Sequence, residues 1–335
     1  MTDLLKSLCM IDGTSGDENS VSDFIIQQIK YHCDYTVDNL GNIIAFKKGK
    51  KKPKKTVMID AHLDEVGLII TSVTNDGFLR FTTVGGMNTE VLLCRKVLIN
   101  GNINGVIGMR PVHLCSGDSG KKLPKPDSLY IDIGAKDKAE ALGIVSLGDR
   151  AVIVGDYYQN DDFILSKALD DRIGCATLCE LIKEEAEYDF YASFSTQEEV
   201  GLRGAKVAAF SIEPDAAIIL EGTTASDIAD VPDDKKVCVL GDGVAISFMD
   251  GTTVYDREYF NLALNSGLNV QVKAAVAGGN NSGAIHLSKS GVRTITLSVP
   301  CRYSHSNSSV CNINDIKAQK DLARYMLKAI CEAAK

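Results

Sequence analysis

The sequence predicts an α/β fold with a mostly parallel central sheet flanked by helices, interrupted by an inserted small β-barrel. Three observations carry this. From about residue 164 onward, strand-like and helix-like runs alternate, the signature of parallel strands joined by crossover helices. Residues 66–163 instead hold short β-rich runs separated by turn signals, with little helical period, as a small barrel or sandwich would. Residues 1–65 are too short to complete an α/β domain alone. They are therefore expected to join 164–335 in one discontinuous domain, with 66–163 inserted between them.

The elements follow in order. Ser15 and Glu18 read as a capping box, followed by a helical apolar face of Val21, Phe24, Ile25 and Ile29. Asn42–Lys47 and Thr56–Asp60 read as strands joined by a solvated hairpin tip, the basic run Lys47 to Lys55 being broken by Gly49 and Pro53. The second strand stops at Ala61-His62-Leu63-Asp64-Glu65. In the insert, turns are expected at Asn75-Asp76-Gly77, Gly85-Gly86, Gly101-Asn102 and Gly117-Asp118, with a short helix near Asp137–Leu142. Beyond it come a helix at Asp171–Glu187, a strand at Tyr191–Ser195, a helix near Ala205–Phe210 and a strand at Ala216–Leu220. Later strands fit Val244–Ser247, Val270–Ala275 and Thr294–Ser298. Helices fit Arg257–Leu264, Gly283–Lys289 and Asp315–Ala333.

Composition narrows the function. The 335 residues are 45% hydrophobic and 24% charged, with net charge -8. No basic face suggests nucleic acid. No apolar stretch is long enough to span a membrane, and no basic segment followed by an apolar run suggests a secretory leader. The ten cysteines are scattered without a CxxC pair, which fits a reducing compartment, the cytoplasm. Cys175 and Cys179 share an apolar helical stripe with Leu178 and Ile182, so core packing is expected of them rather than metal binding.

Ligand sites in open α/β sheets lie beyond the carboxyl ends of strands, and polar residues gather there. His62 and Asp64 follow the strand at Thr56–Asp60; an imidazole at a strand end can ligate a metal while a carboxylate fixes its tautomer, although such a pair is often only a turn. Asp170 and Asp171 precede a helix, where Asp171 is expected to cap it. Glu198 and Glu199 follow Tyr191–Ser195. Adjacent strand residues face opposite ways, so both serve one site only if the backbone turns, as Gly201 and Gly204 permit. Glu221 ends a buried strand, where a lone carboxylate is costly without a partner. His305 follows the strand at Thr294–Ser298. The other histidines, His32, His113 and His286, are expected to be structural or exposed. Together these residues offer two imidazoles and three carboxylates as ligands, with one glutamate to spare. Mixed nitrogen and oxygen ligation suits Zn²⁺, Co²⁺ or Mn²⁺.

On five ordered motifs the chain resembles the glutamyl-aminopeptidase and TET group of dinuclear metallopeptidases, almost end to end. These are Thr14-Ser15-Gly16-Asp17-Glu18, Ala61-His62-Leu63-Asp64-Glu65-Val66-Gly67, Leu129-Tyr130-Ile131-Asp132-Ile133-Gly134, Ala168-Leu169-Asp170-Asp171-Arg172 and Thr196-Gln197-Glu198-Glu199-Val200-Gly201. The resemblance implies a zinc-peptidase-like catalytic domain (1–65 and 164–335) and an inserted β-rich dimerisation domain (66–163). It implies that Asp170 bridges two divalent metal ions, that His62 and Glu221 complete one site, and that Glu199 and His305 complete the other. Glu198 would be general base and acid, and Asp64 would orient His62. It further implies short peptide substrates and dimers assembling into a dodecamer.

Two positions depart from the family pattern. Glu221 stands where Asp is common, and Asn281 in Gly278-Gly279-Asn280-Asn281 stands where an Asp is usual. Arg302 is expected in a structural ion pair. The rival readings are an endoglucanase-like polysaccharide hydrolase, which needs two opposed carboxylates and leaves the histidines unexplained; a deacylase or carboxypeptidase-like hydrolase; and a shell-forming binding protein without activity.

Overall fold

The computed structural model describes residues 1–111 and 124–333; the turn expected at Gly117-Asp118, and His113, lie outside them. An eleven-stranded sheet forms the main layer. Its principal strands run in the spatial order Asp34–Val37, Ile43–Lys47, Phe190–Ser195, Val57–His62, Ala216–Thr224, Arg293–Arg302, Ser309–Asn312, Phe163–Ser166 and Tyr158–Gln159. Val57–His62 lies parallel to both of its neighbours, and Ala216–Thr224 is parallel to Arg293–Arg302. Every residue of Val57–His62 is buried. A strand covered on both faces needs a continuous apolar run rather than alternation, which is how Val57-Met58-Ile59 reads.

The helices cover this sheet. Leu169–Lys183 packs on Val57–His62 and Ala216–Thr224, and nearly all of its residues are buried. Cys175 and Cys179 lie inside it as free buried thiols. The helix Ile313–Glu332 is started by the Asn312 side chain, which accepts from the Asn314 amide at 2.8 Å. It buries Ile316, Gln319, Ala323, Met326 and Ile330, spaced three and four apart along one face. Burial of each of Ile316, Met326 and Ile330 contributes roughly 1.5–3 kcal/mol.

The strands Gly67–Val73, Leu79–Val84, Tyr130–Asp132, Ile103–Gly108, Lys96–Ile99 and Arg150–Ile153 close into a separate barrel with its own apolar core. The expected short helix there is Lys138–Ile144, capped by Asp137, whose carboxylate accepts from the Glu140 amide.

Several local expectations are corrected. The lysine-rich segment does not close a hairpin, because Phe190–Ser195 slots between the strands it connects, antiparallel to Ile43–Lys47 and parallel to Val57–His62. The segment is a crossing held from the far side: Lys50 pairs with Glu185, Lys51 with Glu187, and the Gly49 amide donates to Asp189. The helix expected at Gly283–Lys289 is a single turn, Ser282–Ile285. A helix at Thr2–Met10 and a strand at Asp34–Val37 were not expected; the latter is exposed throughout, so it carries no periodic signal. No described helix is long and apolar enough to cross a membrane.

Candidate metal centre

The strand Val57–His62 ends on His62 itself, buried at the carboxyl edge of the sheet. Its neighbour Phe190–Ser195 ends two residues before the backbone turns at Gln197, which takes φ 55°. Every backbone amide from Thr196 to Glu199 donates to a side chain. The Thr196 amide meets Asn42 Oδ1 at 2.9 Å, Gln197 meets Glu18 Oε1 at 3.0 Å, Glu198 meets Asp64 Oδ1 at 2.9 Å and Glu199 meets Asp64 Oδ2 at 3.1 Å. This anchored turn lets two adjacent glutamates serve one site.

Asp64 therefore does more than face an imidazole. It is buried, receives the Glu198 and Glu199 amides and the Ser15 hydroxyl at 2.6 Å, and lies 3.4 Å from His62 Nδ1. His62 Nδ1 also contacts the Asp64 carbonyl oxygen at 3.0 Å, which leaves Nε2 facing the centre.

Asp170 lies between the two imidazoles. Its Oδ1 is 3.4 Å from His62 Nε2 and its Oδ2 is 3.8 Å from His305 Nε2. Glu221 Oε1 stands 3.3 Å from His62 Nε2, and Glu199 Oε1 stands 3.2 Å from His305 Nε2. His305 Nδ1 is 2.6 Å from the carbonyl of Gly86, a residue of the segment that continues from the barrel strand Leu79–Val84. Glu221 lies within a longer strand than expected, opposite Ser298, and Gly222 after it leaves room for Asp170: a Cβ there would come within 3.1 Å of the Asp170 Cβ.

The residues fit a cation pair. Asp170 Oδ1 and Glu221 Oε2 are buried without a hydrogen-bond partner, a costly arrangement unless something positive meets them. Donor atoms of Asp170, Glu199 and His305 lie within 4.8 Å of one another, as do those of His62, Asp171 and Glu221. Asp171 is nevertheless committed elsewhere: one oxygen accepts from the Gly174 amide at 2.9 Å, as its capping role requires, and the other from the His62 amide at 3.2 Å. Asp170, with a free oxygen, is the better ligand.

The electrostatics agree. Burial pushes the Glu198 carboxyl well above the usual range, with Glu221, Glu199 and Asp64 adding repulsion against the lowering effect of His62. Burial likewise raises Glu221. Burial alone would depress His305, but Glu199 and Asp170 override it and lift the imidazole to about 9. His62 is also raised against its burial, by Glu221, Asp170 and Asp64. Without a cation the centre thus holds protons that a metal must displace.

The cleft above these groups, about 300 Å³, is lined further out by Thr223, Thr224, Val237, Lys273 and Asn280. Of the remaining histidines, His32 is exposed after the helix Asn19–Ile29, and His286 is half-buried with Nδ1 2.7 Å from the Ser282 carbonyl. Arg302 pairs with Asp227 at 2.7 Å, as expected of a structural residue. Asn281 donates to Asp60 Oδ2 and Ser195 Oγ, both at 2.8 Å, behind the centre. Ser15 and Glu18 do not form a capping box: the helix Asn19–Ile29 has no side-chain cap, and both residues turn to the site. The Gly86 carbonyl was not foreseen, since a backbone acceptor carries no residue-type signal.

A mixed-sheet α/β scaffold with imidazoles and carboxylates converging at the tips of its central parallel strands, around buried oxygens that lack partners, defines a metal-dependent hydrolase. The chain belongs to the M42 glutamyl aminopeptidase family, whose model matches residues 41–322. It is 32% identical to the lysyl aminopeptidase of Pyrococcus furiosus over 98% of this chain and 97% of that one. A TET aminopeptidase from the marine sediment archaeon Thaumarchaeota archaeon SCGC AB-539-E09 superimposes with TM-score 0.92 at 30% identity, over 98% of this chain and 95% of that one. The TET1 peptidase of Pyrococcus horikoshii, described as assembling into a tetrahedron or a large octahedral shell, superimposes with TM-score 0.84 at 33% identity, over 97% and 98% of the two chains.

Proposed function

We propose that this protein is a dinuclear metallo-aminopeptidase that trims short peptides from their free N-termini. The observation that supports this most is Asp170, whose two oxygens face the two histidines, with Glu221 completing one side and Glu199 the other. His62, Asp170 and Glu221 would hold one divalent ion; His305, Asp170 and Glu199 would hold the second. Zn²⁺ suits this donor set, as do Co²⁺ and Mn²⁺. When bound, such ions supply Lewis-acid polarisation of the scissile carbonyl and offset the charge that develops on it.

The protein supplies the proton traffic. Glu198 takes the proton of the attacking water and returns it to the leaving amine, the exchange a carboxylate held beside the reacting groups performs. Asp64 holds both the imidazole of His62 and the turn that carries Glu198. The carboxylates of the cleft favour a free α-ammonium group, while Lys273, which forms no ion pair among the described residues, gives its outer part a positive charge. A polysaccharide hydrolase would need two opposed carboxylates only, and the paired imidazoles would have no task.

A panel of amino-acyl chromogenic substrates, assayed after metal stripping and restoration with Zn²⁺, Co²⁺ or Mn²⁺, tests this reading. Activity should vanish on stripping, return with metal, and be absent on N-acetylated substrates. Acidic N-terminal residues should outrun lysyl ones, and Lys273→Glu should shift that ratio by about tenfold or more. Hydrolysis that survives exhaustive chelation, or that proceeds equally well on blocked substrates, would end the proposal.

The inserted barrel, whose strands run from Gly67 to Ile153, is proposed as the self-association unit; Tyr158–Gln159, expected within the insert, belongs to the main sheet. Val106, Leu142, Ile144 and Leu147 are exposed apolar residues on it, a composition suited to contact between copies. Dimers through this face, assembling to a dodecamer, would enclose the active sites and admit only short peptides. Native mass measurement should give a multimer, and a monomer at micromolar concentration would remove this part.

A further inference from the structure

We propose that Glu18 is a positioning residue for the general base, acting through the backbone of Gln197; this rests on the role given to Glu198 above. Glu18 is buried, and one carboxylate oxygen, Oε1, accepts from the Gly16 amide at 2.8 Å and from the Gln197 amide at 3.0 Å. Gln197 holds φ 55°, a left-handed conformation that a residue with a Cβ adopts only when its surroundings impose it. The next residue is Glu198.

The anchors of this turn divide the work. Asn42 holds Thr196 and Asp64 holds Glu198 and Glu199, while Glu18 takes the amide of Gln197, where the chain reverses; the Gln197 carbonyl accepts from the Arg203 amide at 3.2 Å. Ser15, three residues earlier, donates to Asp64 at 2.6 Å. The segment Ser15–Glu18 thus grips the catalytic turn directly through Glu18 and indirectly through Asp64. It is itself tied down, since the Ser15 amide donates to the Glu65 carbonyl and Thr14 bridges to Glu65. Glu18 is not among the groups that gather donor atoms for a cation. Removing its acceptor lets the peptide before Glu198 rotate, which re-aims the Glu198 side chain about its Asp64-held amide, while Glu199 keeps its own bond to Asp64.

The test compares Glu18→Met, which keeps length without an acceptor, with Glu18→Gln, which keeps the acceptor oxygen without the charge. Glu18→Met should lower kcat about 30- to 100-fold, with KM and bound metal within about twofold of the wild type. Glu18→Gln should stay within about threefold, because its amide oxygen can accept both amides. The proposal is overturned if Glu18→Met turns over normally, if its loss follows lost metal or raised KM, or if Glu18→Gln is equally impaired. Should Glu18→Met not fold, Glu18→Asp takes its place: its arm is too short to reach Gln197, so it must show the kcat-selective loss, and a normal kcat overturns the proposal. Glu198→Gln separates the two layers: if that variant stays active, the base assignment itself fails, whereas an inactive Glu198→Gln beside a normal Glu18→Met refutes only the positioning role.

Discussion

Glu198→Gln should retain close to the full metal content while losing about 10²–10⁴-fold in turnover. The variant preserves shape and hydrogen-bonding length but cannot take up a proton. Its backbone stays pinned, because the Glu198 amide bonds to Asp64 whatever the side chain. Donor atoms of Glu198 also lie close to His62 and Glu199, so the geometry allows a second role, Glu198 as a ligand. The two roles separate cleanly. If Glu198 ligates, the amide variant loses metal together with activity; if it transfers protons, metal stays and the chemical step slows. Metal content by emission spectrometry alongside kcat decides between them, and near-normal turnover would remove Glu198 from the mechanism.

Asp170→Asn should strip the centre of more than one ligand's worth of binding. Each Asp170 oxygen faces a different imidazole, and an amide presents only one oxygen, with an NH₂ group toward the other side. Both half-sites are thereby weakened, and we expect metal stoichiometry to fall and turnover to drop about 10³-fold or more, as loss of several kcal/mol of charge stabilisation implies. Asp171→Asn is the internal control. Asp171 spends its oxygens on the Gly174 and His62 amides, so that variant should lose about 1–3 kcal/mol of stability yet still bind metal. If Asp171→Asn loses metal and Asp170→Asn keeps it, the assignment of the bridging carboxylate is reversed.

Much of the scaffold was legible because burial leaves a pattern. The alternation after residue 164, the apolar stripe of the C-terminal helix and the punctuated insert all follow from which faces must avoid water, and they gave the α/β sheet and the barrel. What failed was pairing. Nothing local to Lys47–Lys55 reveals that Phe190–Ser195 enters between the strands on either side, since sheet neighbours far apart in sequence leave no short-range trace. The segment Ser15–Glu18 misled for a related reason. Its residue types suit a helix cap, and only the fold shows that Asp64 and Gln197 are nearer claimants. The residues gathered at the centre could be nominated because His and adjacent acids at strand ends are chemically conspicuous. The Gly86 carbonyl has no such flag, and the strand that carries Glu221 runs to Thr224 rather than ending at Leu220, because the apolar run stops before the β-pairing does.

The interleaving of distant strands also bears on when the centre can assemble. His62 is synthesised first, Glu198 136 residues later and His305 a further 107 residues on. A growing chain therefore carries an incomplete set of donors until His305 has been added. The paired site can close only once the strand Arg293–Arg302 has joined the sheet and brought His305 opposite His62, so metal capture and completion of the fold coincide.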